Sequence, residues 1–234
     1  ITEHTGVLTI SGATAATVAE LIAINAATTG TPVLNAATNA ANFSDTAANL
    51  TAGFLGTTSH TGTLTVTGAA ATVAQANLLD AITQGVVTAT IEGDSAADLA
   101  TLTGTTGVYT VVQNGTVVAT IAELIAINAA TTGGITINSN TIANNYSDTA
   151  ANLVAAFTGI TTHTGTMTIS GTTAATEAEL LVINAATAGA ITLNAQTIAA
   201  NYSESAANLV LMFDGTITEH TGVLTISGAT AATV

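Results

Sequence analysis

Four histidines come closest, by type and spacing, to a chemical site in this 234-residue chain. Each stands in a His-Thr-Gly triplet just before a segment that alternates apolar and hydroxyl residues; they are His4, His60, His163 and His220. Two follow a glutamate, in Glu3-His4 and Glu219-His220, and such pairs are typical of metal or acid–base sites. We favour a turn residue whose ring hydrogen-bonds a neighbouring segment, because neighbouring histidines lie two or four repeat units apart. The fifth unit has Thr105 at the equivalent place.

The densest acidic cluster is Glu92, Asp94 and Asp98. Carboxylate oxygens are ligands that Ca²⁺ prefers, so this is the place where the sequence would accept calcium. The interpretation we favour is the start of a capped helix. Because no Gly-x-Ser-x-Gly motif accompanies the serines and histidines, the sequence predicts no catalytic, cofactor-binding or metal-binding residues.

The composition excludes several classes of function. Lysine, arginine and cysteine are absent, and the formal net charge is −14. Nucleic-acid binding needs cations against phosphate. Walker and Schiff-base lysines, cysteine nucleophiles and zinc–thiolate sites each need a residue that the chain lacks. No apolar run approaches eighteen residues, so no membrane span is expected. We therefore predict a protein that is not an enzyme.

Residues 1–18 and 217–234 have the same sequence, ITEHTGVLTISGATAATV. The offset of 216 residues defines one full period, 1–216, followed by the start of the next, 217–234. We interpret the chain as a window from a longer tandem repeat, or as one tile of a continuous fibre.

A shorter repeat fills this period. The motif [Ser/Thr]-x-Ala-[Glu/Gln/Asn/Asp] occurs every 27 residues on average and begins at Thr17, Thr46, Thr72, Ser95, Thr120, Thr149, Thr176 and Ser205. A Ser or Thr N-cap accepts a hydrogen bond from the third helical residue, and Glu or Gln there reaches back to the cap. Full capping boxes are predicted at Thr17/Glu20, Thr72/Gln75, Thr120/Glu123 and Thr176/Glu179. Each motif therefore predicts the start of a short helix.

Alternating apolar and hydroxyl residues predict strands at 6–12, 62–68, 135–138, 165–171 and 191–194. Each repeat unit is then one strand and one short capped helix. A unit this small cannot bury its own apolar face, so we expect eight units per period to stack as an α/β repeat solenoid. The helices then lie on one face of a curved sheet or alternate between two faces. A plain β-solenoid is the alternative.

Threonines at alternate positions would form rows of hydroxyls if the strands stack in register. They occur in Thr63/Thr65/Thr67, Thr88/Thr90 and Thr166/Thr168/Ser170. Such rows are similar to the threonine arrays of ice-binding proteins, although threonine is also simply a good strand former without charge.

Several phrases of the chain look familiar, namely those at 10–21 and 169–180, 24–28 and 146–153. They resemble the Ala/Thr/Gly-rich tandem repeats of giant secreted and cell-surface proteins of bacteria, cyanobacteria especially. The resemblance implies an extracellular structural role and brings no catalytic residue with it. We expect a structural repeat segment of an extracellular filament, sheath or surface layer that assembles with itself, end to end or as a covalently continuous homopolymer. The alternatives are an adhesin stalk and an ice-binding solenoid.

Overall fold

In a computed structural model, the chain is an α/β protein whose parallel strands form small sheets. The structure describes residues 4–104, 107–214, 217 and 219–228. The helices within these ranges are α1 Val18–Ala26, α2 Ala36–Ala40, α3 Ala47–Gly53, α4 Val73–Ile82, α5 Ala96–Leu99, α6 Ile121–Ala130, α7 Ser139–Ala143, α8 Ala150–Phe157, α9 Glu177–Ala186, α10 Ala195–Ala199 and α11 Ala206–Phe213. The strands are β1 Phe43–Asp45, β2 Leu64–Val66, β3 Val87–Gly93, β4 Val108–Gln113, β5 Ile135–Thr136, β6 Tyr146–Asp148, β7 Met167–Ile169, β8 Ile191–Thr192, β9 Tyr202–Glu204 and β10 Leu224–Ile226.

The chain divides into two compact lobes. The first comprises Ile1–Asp94, Asp98–Asn114 and Ala129–Gly134, and the second comprises Ser95–Ala97, Gly115–Asn128 and Ile135–Val234. In the first lobe β1, β2, β3 and β4 are neighbours in that order and all run parallel. In the second lobe β6, β7 and β8 form one parallel sheet, and β9 pairs with β10 in another. Each strand thus pairs with strands about one repeat unit away in sequence.

The predicted helix starts are confirmed. Six of the eight predicted cap residues are N-caps whose side chains accept from the third helical N–H; they are Thr17, Thr46, Thr72, Thr149, Thr176 and Ser205. Thr120 accepts from Glu123 N–H at 3.2 Å, and Ser95 directly precedes α5. The four capping boxes are all reciprocal, since Glu123 also accepts from the Thr120 N–H at 2.7 Å.

The same cap geometry places one core residue per repeat unit. The fourth residue after each cap is buried in all eight units; these residues are Leu21, Leu50, Ala76, Leu99, Leu124, Leu153, Leu180 and Leu209. Within the first lobe α1 packs on α3 and α3 packs on α4. Within the second lobe α8 and α11 both pack on α9. Helices this short are marginal alone, so this packing stabilises them.

The strands differ from the prediction in length and number. The segments expected at 62–68 and 165–171 form β2 and β7, but 6–12 makes only an isolated bridge, Thr9 to Val33. The segments 135–138 and 191–194 form two-residue strands, because Asn138 and Asn194 instead cap the five-residue helices α7 and α10. Strands β1, β6 and β9, just before Thr46, Thr149 and Ser205, were not predicted. One strand and one helix per unit is therefore too simple.

Candidate functional sites: histidine joints and repeat edges

His60 lies where three segments of the first lobe meet, and its side chain is fully buried. Its Nε2 lies 2.9 Å from the carbonyl oxygen of Ala41, and its Nδ1 lies 3.0 Å from the hydroxyl of Thr83. The ring packs against Phe43 and Phe54, at centroid distances of 5.6 and 4.8 Å. Because a carbonyl can only accept, Nε2 carries a proton and donates it to Ala41. We call this arrangement a histidine joint.

The Thr83 hydroxyl of this joint has one proton to donate but lies close to more than one possible acceptor. It accepts from the Gly85 N–H at 2.9 Å and lies 2.6 Å from the carbonyl oxygen of Gly62. With a neutral ring, Gly62 O and Nδ1 compete for the single hydroxyl proton. A ring protonated at both nitrogens would donate through Nδ1 to Thr83 and leave the hydroxyl proton for Gly62. The hydrogen bonding of the joint therefore depends on the charge of the ring.

The second lobe contains the same joint around His163, which is 1% exposed. Nε2 lies 2.9 Å from Asn144 O, and Nδ1 lies 2.9 Å from the hydroxyl of Thr187. The ring packs against Tyr146 and Phe157, at 5.5 and 5.0 Å. The joint is thus a recurring element rather than a local accident.

The other two histidines occupy less buried positions. The half-buried His220 has its Nε2 3.0 Å from Ala200 O, while the neighbouring Glu219 is exposed. His4 is exposed, and its Nδ1 lies 3.0 Å from the carbonyl oxygen of Gly6. Glu3 lies outside the described residues. The predicted bond from the ring to a neighbouring segment is confirmed for His60, His163 and His220, and His4 bonds within its own turn.

Burial sets the protonation of the two complete joints. It lowers the pKa of His60 and of His163, and the bond to a backbone carbonyl opposes this shift in each case. An unperturbed histidine has a pKa of about 6.5, so both rings are neutral at pH 7.

The fifth repeat unit has a different joint, and the sequence comparison there was two residues out of register. Thr105 lies outside the described residues. Gly107 takes the structural position of His60, because its carbonyl accepts from Thr132 N–H at 3.3 Å, as that of His60 accepts from Gln84 N–H at 2.8 Å.

Tyr109 supplies the ring of this tyrosine joint, which consists of Gly107, Tyr109, Thr131 and Gly133. A Cβ on Gly107 would overlap the Tyr109 ring. The Thr131 hydroxyl accepts from the N–H groups of Tyr109 and Gly133, at 2.8 and 2.9 Å, and donates to Tyr109 O at 2.8 Å. A backbone N–H thus stands where a histidine joint has Nδ1. The Tyr109 hydroxyl is buried without a partner among the described residues, and burial, with the nearby Asp80 charge, raises its pKa to about 12.

Three asparagines that the sequence analysis did not single out also join consecutive segments. Asn35, Asn138 and Asn194 cap the five-residue helices and donate through their amides to carbonyls 21 to 23 residues earlier. Three residues after each, a buried threonine accepts a backbone N–H 22 residues earlier; these are Thr38, Thr141 and Thr197. The repeated signal Asn-x-x-Thr could have located them.

The acidic cluster lies partly on a strand and partly on a helix. Glu92 is on β3 and accepts from the Asn114 amide at 3.1 Å, and Asp98 is in the first turn of α5, the helix start predicted there. Among the described residues, no three His, Cys, Asp or Glu side chains are grouped so that they could hold a metal ion.

The hydroxyl residues form short rows across the sheets. Ser44, Thr65 and Thr88 are register partners in the first lobe, but the next partner is Val108. In the second lobe Ser147, Thr168 and Thr192 are aligned in the same way. Each of these two rows is three residues long, and a further pair, Thr90 with Thr110, lies beside the row of the first lobe.

The two copies of the repeated sequence use opposite edges. Residues 4–12 pair with later segments, His4 with Thr28 and Thr9 with Val33. Residues 220–228, which have the same sequence, pair with the earlier strand β9, Leu224 with Tyr202. The related segment 60–68 pairs in both directions, with β1 before it and β3 after it.

No helix in the part of the chain that the structure describes has both the length and the apolar character needed to cross a membrane. No family model, no curated protein and no solved structure matches this chain.

Proposed function

We propose that this chain is a structural, non-catalytic repeat segment of an extracellular filament, sheath or surface layer, in which α/β repeat units stack as a solenoid. The stack would continue from one 216-residue period to the next, either within one chain or between copies. The partner is therefore a second period of the same sequence.

The observation that carries this proposal is the opposite use of edges by residues 4–12 and 220–228. In the first copy, Ile10 N–H donates to Val33 O and Val33 N–H donates to Leu8 O, at 2.9 and 2.8 Å. The same groups in the second copy belong to Leu224 and Ile226, on the segment that pairs with β9 through its other edge. A strand that is competent to pair on both edges supports a stack that extends through it.

Composition supports an exposed, durable role. A chain without lysine or arginine offers no site to trypsin-like proteases, and one without cysteine does not respond to redox changes. A net charge of −14 would keep neighbouring fibres apart at low salt. The hydroxyl rows do not favour the ice-binding alternative, because the row through Thr65 and Thr88 meets Val108 after three strands.

Fibre diffraction and electron imaging of the purified chain test the proposal. Strands stacked at about 4.8 Å predict a strong reflection at that spacing and, for eight units, an axial repeat of roughly 38 Å. Compact particles without either spacing would contradict it.

An edge variant tests the interface itself. Ile226→Pro removes the N–H whose counterpart, on Ile10, bonds to Val33, while the bonds of this segment to β9 use Val223 O and Ser227 N–H. Filaments should be lost in Ile226→Pro and kept in Ile226→Thr, which retains the N–H. Filaments of equal length in both variants would show that this edge is not the interface.

A further inference from the structure

Two of the histidines, His60 and His163, are fully buried at points where three segments meet. Each complete joint holds three segments together through one ring: His60 connects the segments of Ala41 and Thr83, and His163 connects those of Asn144 and Thr187. Displacement of the ring would therefore break both inter-segment connections at once.

Among the described residues, the bonded partners of the His60 and His163 rings are hydroxyls and backbone carbonyls, not carboxylates. Around His60, β1 carries Asp45 and α4 carries Asp80, and neither carboxylate is bonded to the ring, whose partners are Ala41 O and the Thr83 hydroxyl. Asp45 is already bonded to the Thr46 N–H and the Asn49 amide, at 2.7 and 2.8 Å. The strand segment and helix α3, which supply the aromatic rings, carry no other ionisable group.

The same holds around His163. On β6, Asp148 is bonded to the Thr149 N–H and the Asn152 amide, at 2.7 and 2.8 Å. Helix α9 carries Glu177 and Glu179, which are bonded to Ser203 N–H and to Thr176 and not to the ring. A proton taken up by either ring would therefore place an uncompensated charge among aromatic side chains, which is costly in a protein interior.

We propose that the histidine joints are acid-sensitive connections: the neutral ring holds three consecutive segments together, and protonation of the ring opens the joint. The hydrogen bonds at Thr83 and Thr187 do not oppose protonation, because a charged ring can still donate to either hydroxyl. What opens the joint is the cost of a charge on a fully buried ring packed between aromatic side chains. Acid thus weakens the chain joint by joint. This inference concerns joints within each lobe and does not depend on filament formation.

The sign follows from linkage. The folded rings bind protons less well than the unfolded chain, so their contribution to stability is fully present above about pH 6.5 and is lost as the pH falls from that unfolded pKa to the lowered folded pKa. Each excluded proton changes the unfolding equilibrium constant by up to tenfold per pH unit, so two joints change it by up to a hundredfold.

Urea unfolding between pH 7.5 and 5.0 tests the proposal with matched variants. His60→Gln/His163→Gln should flatten the histidine-dependent loss of stability in acid, whereas His4→Gln, at the exposed histidine, should leave it as in the parent chain. Because carboxylates titrate equally in all three proteins, their difference isolates the joints. Equal pH slopes in all three would overturn the proposal, as would a parent chain that gains stability in acid through these rings.

Histidine NMR of the parent chain provides a second measurement if the double variant does not fold. The rings of His60 and His163 should stay neutral, with the proton on Nε2, at a pH below the value of about 6.5 at which an unperturbed histidine titrates. Titration of the buried rings at or above about pH 6.5 would overturn the proposal.

Discussion

The joint around His60 and the joint around Tyr109 solve the same packing problem with different donors. Both place a threonine hydroxyl against a glycine N–H two residues later, Thr83 with Gly85 and Thr131 with Gly133. In the tyrosine joint the third group at the hydroxyl is a backbone N–H, which cannot lose its proton. In the histidine joint it is a ring nitrogen, whose donor character changes with pH. The threonine–glycine pair is thus common to both joints, whereas the third group bonded to the threonine hydroxyl differs between them.

The close contact between Gly62 and the segment of Ala41 requires glycine, and a side chain there should have the largest effect on stability. A Cβ on Gly62 would overlap the carbonyl oxygen of Ala41, which is backbone and cannot swing aside. Gly62→Ala should therefore lower the free energy of unfolding by about 3 kcal/mol, as expected for severe overpacking. Chemical unfolding measures this. Gly134→Ala, where no atom lies within 4 Å of the added Cβ, should stay within about 0.5 kcal/mol of the parent chain. A tolerated Gly62→Ala would contradict the close approach.

In the tyrosine joint the corresponding steric overlap is with the Tyr109 side chain and not with backbone, so a second substitution should relieve it. Gly107→Ala would press on the Tyr109 ring and should cost about 2 kcal/mol. In a Tyr109→Leu background the same change should cost less than about 0.5 kcal/mol, because the ring is gone. A double-mutant cycle measures the coupling. Additive effects of the two substitutions would mean that the ring does not fill the place of a histidine there.

Removal of a tyrosine hydroxyl should have the smallest effect on stability, and the sign of that effect should differ between Tyr109 and Tyr146. Tyr109 has a buried hydroxyl without a partner, whereas that of Tyr146 donates to Ala119 O at 2.8 Å. Tyr109→Phe should be neutral or stabilising by up to about 1 kcal/mol, and Tyr146→Phe should destabilise by about 1 kcal/mol. Thermal unfolding of both variants checks the prediction. Equal destabilisation would show that the Tyr109 hydroxyl has a partner after all.

The sequence predicted the features whose chemistry is local. A cap involves residues three apart, so Thr17 and Glu20 could be recognised without knowing the fold, and so could the buried leucine that follows them. The surroundings of His60 could not, because Ala41 and Thr83 lie 19 and 23 residues away and nothing in the local sequence links either of them to the ring.

Register was the second limit. The sequence comparison placed Thr105 opposite the histidines, whereas hydrogen bonding places Gly107 there, 13 residues before the cap Thr120 as His163 is before Thr176. The five-residue helices were also missed, because they are too short for an apolar period and depend on Asn138 and similar caps. Stacking of all eight units through the whole period stays a prediction.

The spacing of the parallel pairs has a kinetic consequence. Parallel strands ordinarily fold slowly, because distant segments must meet before any contact rewards them. Here the pairings within each lobe join residues 20 to 26 apart, from Thr88 with Val108 to Ile191 with Ile217. The entropy of closing each loop is therefore nearly constant along the chain. Folding can begin at any joint and spread to its neighbours, so the time needed to add a unit should not grow with the number already folded.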